Sequence, residues 1–289
     1  MNYSQEEIVD IIISTINLMF SNLFSSIDNN IYESLDKFVF IDSSILDNNF
    51  FVTLLGKNGK TGFIYLCDAM LLGIFIFYIV KYYYSNIVDY TIERPSQFIF
   101  KLLLFAIFSH FSYFILEQII NLNFLFSSSI QSIGGKIVKC DISFSEFIIF
   151  INKNLSVSNS ELNIFSFDGI IKSFVTVGLI SLLLTYSLRY ILVQVFSLIS
   201  PFAFLSLINS NTSWIFKSWS KCFFSLLIIQ FFIPIVMIII FSISSTNKIL
   251  LVAGIYTLTK INNYIREMFG GISTDFNTNV NNIISLLKK

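Results

Sequence analysis

Histidine occurs once in these 289 residues, tryptophan twice, and cysteine and proline three times each. The three cysteines, Cys67, Cys140 and Cys222, have no metal-type spacing, and one histidine cannot build a cluster. An odd cysteine count is not a disulfide framework. A Cys67–Cys140 bridge is the one pairing to weigh against the plainer reading of each cysteine as a small buried hydrophobe. Nothing resembles a catalytic triad, and LLGKNGKTG at 54–62 lacks the GxxxxGK[ST] spacing of a phosphate loop, so it reads as a turn. The expectation is no enzyme, no metal and no cofactor. The largest deficit is charge: 12% of residues are Asp, Glu, Lys or Arg, against about 25% in a soluble domain.

What replaces charge is apolar surface. The chain is 55% hydrophobic with a mean hydropathy of +0.76, which places it in a lipid bilayer. Crossing the hydrocarbon core takes about 20 apolar residues in a helix. Phe63–Val80, Gln97–Ile120 and Cys222–Phe241 meet that length, and Ile249–Thr259 does if extended past a snorkelling Lys248. Ser173–Asn209 would be a helix of roughly 55 Å, longer than the ~30 Å core. It makes either two spans hinged near Arg189 or one net crossing with a break near Pro201. The sequence predicts an all-α, polytopic membrane helical bundle with about five transmembrane helices. A sixth hydrophobic helix, re-entrant or interfacial, is the alternative. Before them, polar residues at Asp10, Ser14, Asn17, Ser21, Ser25 and Asp28 step by threes and fours, which predicts an amphipathic N-terminal helix.

Charge distribution orients the spans. Residues 1–62 hold eight acids and three bases. Lys81, Arg94 and Lys101 flank the first hairpin, and Lys260, Arg266, Lys288 and Lys289 lie towards the C-terminus. Bases in short loops mark the cytoplasmic side, so the N-terminus is expected outside and the C-terminus inside. The expected divisions are an extracytoplasmic amphipathic region (1–62), two transmembrane helices (63–120), an extracytoplasmic loop (121–168), core membrane helices (169–262) and a cytoplasmic tail (263–289). The opening MNYSQEEIVD is acidic, unlike the basic start of a secretory signal.

Few side chains offer chemistry. Asp68, His110, Glu117 and Gln194 are the intramembrane polar candidates. His110 and Glu117, seven residues apart, would share a helical face and could relay a proton, or simply sit hydrogen-bonded within the bundle and at its interface. Arg189 in SLRYILVQV is either a cation snorkelling to headgroups or one member of a cationic ring around an oligomeric pore. Both tryptophans fall in SWIFKSWSK, 213–221. On a helix Trp214, Lys217 and Lys221 share a face, while Trp219 lies about 140° away. Trp219, three residues before the most apolar span, reads as an interfacial anchor. Trp214, on the lysine face, reads as a contact for a partner or cargo.

Residues 189–230, RYILVQVFSLISPFAFLSLINSNTSWIFKSWSKCFFSLLIIQ, carry a resemblance. The order is a span with an Arg, a Pro-small-apolar stretch at 200–203, a polar link, a Trp/Lys segment, and a very apolar span bearing Gln230. With Pro95 before the second span and Gly270-Gly271 after the last, it resembles the TrbL-type inner-membrane channel components of type IV secretion and conjugative transfer machines. The likeness covers about residues 61–271 and rests on order rather than on a catalytic fingerprint. It implies a non-enzymatic subunit, bacterial and oligomeric. Such a subunit would contact secretion ATPases inside and outer channel proteins outside, and help pass single-stranded DNA with its relaxase, or protein. In that frame Arg189, Trp214, Lys217 and Lys221 are candidate cargo or partner contacts, and Pro201, Trp219, Gly270 and Gly271 are candidate hinges or anchors. A small-solute permease subunit or an accessory membrane protein is the alternative.

Overall fold

The computed structural model describes residues 29–56, 62–88, 93–155, 167–243 and 248–269, with part of the stretch 9–19. No strand occurs among the described residues. The helices are α1 (Asn29–Val39), α2 (Asn49–Leu55), α3 (Phe63–Val88), α4 (Pro95–His110), α5 (Ser112–Val138), α6 (Phe144–Leu155), α7 (Phe167–Leu205), α8 (Ser213–Ile243) and α9 (Lys248–Phe269). Single 3-10 turns at Ser43–Leu46 and Ser206–Ile208 join α1 to α2 and α7 to α8. The architecture is the expected all-α helical bundle, with several helices that fit a membrane protein.

Among the described residues, three stretches are long and apolar enough to cross a membrane: Phe63–Ser85, Gly169–Ile208 and Ser213–Ile243. The expected second span is different. It is two helices, α4 and α5, bent by 57° at Phe111. Phe111 sits at φ −86°, ψ 4°, and its N–H reaches back to the Ile107 carbonyl. The buried serines on either side, Ser109 and Ser112, mark the bend, as small polar residues do where a helical ladder is interrupted. The α5 helix then runs on to Val138. The stretch 121–168, expected as a loop, is therefore helical over 121–138 and again through α6. The fifth expected span, Ile249–Thr259, is the first half of α9. Lys260, Asn262, Asn263, Arg266 and Glu267 make the rest of that helix polar, and α9 is not among the stretches long and apolar enough to cross a membrane.

The α7 helix is continuous. Pro201 lies inside it rather than breaking it. Proline supplies no N–H, so the Ser197 carbonyl loses its usual partner. The Ser200 hydroxyl donates to that carbonyl at 2.7 Å, and the helix survives. One unbroken helix here favours one net crossing over two spans hinged at Arg189.

The α8 helix is the centre of the bundle, in contact with α5, α7 and α9. Tight approach occurs at three helical glycines: Gly178 of α7 meets Ile255 of α9, and the other two meet side chains of α8. A methyl group at Gly134 of α5 would overlap Ile238, and one at Gly254 of α9 would overlap Ile240. The two isoleucines thus enter the adjoining helices at places where no side chain stands. Gly254→Ala is expected to cost about 1–3 kcal/mol through overpacking, read as a lowered melting temperature of the solubilised protein. An unchanged melt would show that Ile240 repacks freely.

The N-terminal segment is integral to the bundle. The Asp36 carboxylate accepts from the Phe144 N–H at 2.7 Å and from the Ser145 hydroxyl at 3.1 Å, so it caps the start of α6 from a distant part of the chain. Leu35, Val39, Ile41, Leu46 and Leu55 are buried. Of the expected amphipathic helix, the described positions between Val9 and Met19 are helical, and Val9, Ile11, Ile12, Leu18 and Met19 are exposed.

Candidate functional site

Arg189 is fully buried, at 0% exposure, in the middle of α7. Neither sequence expectation, snorkelling nor a pore-lining ring, holds for it. Its Nε donates to the Leu226 carbonyl of α8 at 2.6 Å. Its Nη1 donates to the Val39 carbonyl at 2.8 Å and reaches the Phe38 carbonyl at 3.5 Å. Its Nη2 donates to Gln230 Oε1 at 3.4 Å. Phe38 and Val39 are the last residues of α1, whose final carbonyls have no partner within the helix. The guanidinium therefore caps α1, and its positive charge faces the negative end of that helix dipole. This explains how a cation is held in the interior without a carboxylate among its hydrogen-bond partners.

Gln230 completes the joint. Its Oε1 accepts from the Ile41 N–H and from Asn123 Nδ2, each at 3.2 Å, and its Nε2 donates to the Ile41 carbonyl at 3.2 Å. One side-chain amide thus satisfies both backbone groups of a residue in non-helical chain. Buried backbone must be paired somewhere, and in lipid no water is at hand to do it. Arg189, Gln230 and Asn123 are what allow the α1–α2 link to lie inside the bundle. The joint ties α1, α5, α7 and α8 together at one level.

A second joint lies further along α7. Trp219, expected as an interfacial anchor, is 7% exposed and packs inside the protein. Its indole N–H donates to the Phe196 carbonyl at 2.8 Å. The ring stacks on Phe223, with centroids 5.4 Å apart and an interplanar angle of 7°. Phe204 and Phe216 close the cluster at 5.8 and 5.7 Å. An indole whose N–H is already taken by a carbonyl and whose ring is covered by phenylalanines has little left to offer lipid headgroups. Trp214, by contrast, is 63% exposed, and Lys217 and Lys221 are exposed with it. Of the two tryptophans, Trp214 is the one that faces outward.

Comparison with protein-family models, with curated proteins and with solved structures finds no match. What the chain does has to be argued from its own residues.

The remaining candidates separate. The bend at Phe111 puts His110 and Glu117 on different helices, so they do not share a face. His110 instead meets Asp68 of α3, with Nε2 and Oδ1 3.5 Å apart, and both side chains are substantially exposed. Gln194 is half-buried on α7. Gly270 and Gly271 lie outside the described residues. All three cysteines are free, so the Cys67–Cys140 bridge is not formed. Among the described residues no group of three or more His, Cys, Asp or Glu could hold a metal ion. Asn123 and Asp36 escaped the sequence reading, and Gln230 entered it only as a marker of its span. The available signal was in the two amides: Asn123 in INLNFLF, two residues after Asn121, and Gln230 alone in SLLIIQFF each have to find a partner once buried.

At one end of the bundle the α3–α4 hairpin meets the α7–α8 turn. Ile74, Tyr78 and Lys81 of α3, Phe98 and Lys101 of α4, and Ile208 to Ser210 of the turn line a common cleft with Glu93. Lys101 is ion-paired to Glu93. Tyr78 stacks on Phe98 at 3.7 Å and donates its hydroxyl to the Glu93 carbonyl at 2.7 Å. The two turns therefore belong to the same face of the molecule.

Proposed function

We propose that the chain is a channel or scaffold subunit of a type IV secretion, conjugative DNA-transfer, machine, seated in the cytoplasmic membrane. The observation that carries this reading is the coupling of the residues that bear the resemblance. Arg189 bonds Gln230, and Trp219 bonds the α7 backbone five residues before Pro201. A pattern spread over about forty residues of sequence becomes two joints between the same pair of helices. Nothing in that pairing resembles a reactive constellation, because Arg189, Gln230 and Trp219 are each engaged by hydrogen bonds to backbone or to one another. That favours an assembly role over a permease site, which needs polar groups free to meet a solute.

The proposed orientation has the N-terminus outside and the C-terminus in the cytoplasm, with the apolar first half of α9 completing a fifth crossing. Its support is the meeting of the α3–α4 hairpin with the α7–α8 turn. Lys81, Arg94, Lys101, Lys217 and Lys221 then fall on one side, against Glu93, as expected of a cytoplasmic face. Reporter fusions test this: one after Asn211 should read cytoplasmic and one after Asn247 should not. The reverse result would overturn the arrangement. The exposed Trp214, Lys217 and Lys221 are the proposed contact for a partner subunit or for single-stranded DNA and its relaxase. The functional test is Trp214→Ala, expected to abolish transfer while protein level is unchanged. Normal transfer would remove Trp214 from the contact.

A further inference from the structure

We propose that the α1–α2 link and α2, residues 40–55, form a strap that seals a polar seam between α5, α7 and α8, and that the strap can leave as one piece and open the seam to water. The first observation is a set of buried hydroxyls. Ser112 and Ser127 on α5 and Thr185 and Ser197 on α7 are each 0% exposed, and their hydroxyls have no hydrogen-bond partner among the described residues. Buried polar groups are nearly always paired. A helical serine or threonine can donate to a carbonyl of the preceding turn, as Ser200 does, but these four do not. Ser127 stands one turn beyond Asn123, and Thr185 one turn before Arg189. The seam of polar groups therefore continues past the joint on both helices, and a form of the protein that admits water satisfies it.

The second observation is how the strap is fastened. Two polar contacts hold it: Gln230 to the backbone of Ile41, and the Tyr113 hydroxyl, which donates to Asp47 Oδ1 at 2.9 Å. Ile45, Leu46, Phe51 and Leu55 share one apolar cluster with Leu116 of α5 and Phe223 of α8. The strap's own shape comes from inside it. Asp42 accepts from the Ser44 N–H and Asn48 from the Phe50 N–H, each at 3.1 Å, and Gly56, at φ 93°, closes α2. Both ends suit a piece that moves. The α1 helix stays behind, tied through Asp36 to the start of α6. At the other end α3 carries Phe63–Ser85, the least buried of the three crossing stretches. Apolar side chains that leave the bundle can enter the adjoining leaflet, so release does not force them into water. The inference needs the membrane setting and does not depend on the secretion role.

The test is thiol accessibility in the full chain in lipid nanodiscs, with the three native cysteines replaced by alanine and a water-soluble methanethiosulfonate as the reagent. Ser127→Cys and Thr185→Cys report on the seam. Val175→Cys, in a separate apolar cluster with Leu251 and Leu258 of α9, reports on general loosening. With the strap intact all three should react slowly. Ile45→Ala, which removes a buried anchor of the strap, should speed the two seam positions about tenfold or more, and Tyr113→Phe, which removes the hydroxyl bonded to Asp47, about threefold. Val175→Cys should keep its slow rate in both backgrounds. If Ile45→Ala does not fold, Tyr113→Phe carries the test alone. Fast reaction in the seam with the strap intact, no acceleration in the altered backgrounds, or an equal acceleration at position 175 would each overturn the proposal. No transfer is measured, so this proposal and the secretion role fail separately.

Discussion

Arg189→Met is expected to lower the stability of the solubilised protein by about 3–5 kcal/mol. The substitution keeps most of the volume and removes the donors. The Val39 and Phe38 carbonyls at the end of α1 then lose their cap, and Gln230 Oε1 loses one of three donors. Each orphaned buried group costs about 1–3 kcal/mol, and breaking a charge-assisted buried contact is the expensive case. Average interhelical hydrogen bonds in membranes contribute only about 0.6 kcal/mol, so an effect of this size identifies a charged hub rather than an ordinary polar contact. Arg189→Lys should recover about half of the loss. An ammonium keeps the charge beside the α1 terminus but cannot reach Leu226, Val39 and Gln230 with one planar fork. The thermal melt gives the magnitude. Hydrogen exchange gives the place: the Ile41 amide, bonded to Gln230, should lose protection before the middle of α8 does. A melt unchanged by Arg189→Met would show that the α1–α2 link is held by apolar packing alone.

Trp219→Ala is expected to cost a similar amount, about 3–5 kcal/mol, by opening a cavity among Phe196, Phe204, Phe216 and Phe223. Trp219→Phe separates the terms. It keeps most of the ring packing and removes the indole donor to the Phe196 carbonyl, for about 1 kcal/mol. Trp214→Ala should stay within about 0.5 kcal/mol of wild type, as a substitution on an exposed face. The pair makes a sharp contrast: Trp219 should govern the melting temperature with transfer falling only as folded protein falls, and Trp214 should govern transfer with the melt unmoved. Equal melts for the two alanine variants would contradict the burial of Trp219.

Much of this fold was legible because lipid makes simple demands. Long apolar stretches had to be helices, and the sparse charges marked their ends. The apolar α8 follows from composition, whereas the unbroken α7 does not: Pro201 reads as a break, and the helix continues because the Ser200 hydroxyl takes up the freed Ser197 carbonyl. The sequence was silent where the answer depended on which helices are neighbours. Arg189 reads as a snorkelling cation on its own helix, since nothing nearby in sequence can partner it. Its acceptors come from α1, about 150 residues away, and from α8. Trp219 misled for a related reason. Proximity to an apolar span is the signature of an interfacial tryptophan, and only the packing of α7 against α8 shows that its face turns inward. The bend at Phe111 had only small polar residues to announce it, and it undid the pairing of His110 with Glu117. Charged or aromatic residues alone do not reveal a function here; their partners do.

The secretion role stands or falls on whether the Trp214 face meets cargo or machinery. The direct measurement is site-specific photo-crosslinking during transfer, with the probe at Trp214 in one variant and at Trp219 in another. Such a contact should give adducts to single-stranded DNA, its relaxase or another secretion subunit from position 214, and adducts within the chain from position 219. No intermolecular adduct from position 214, together with transfer unaffected by deletion of the protein, would contradict it.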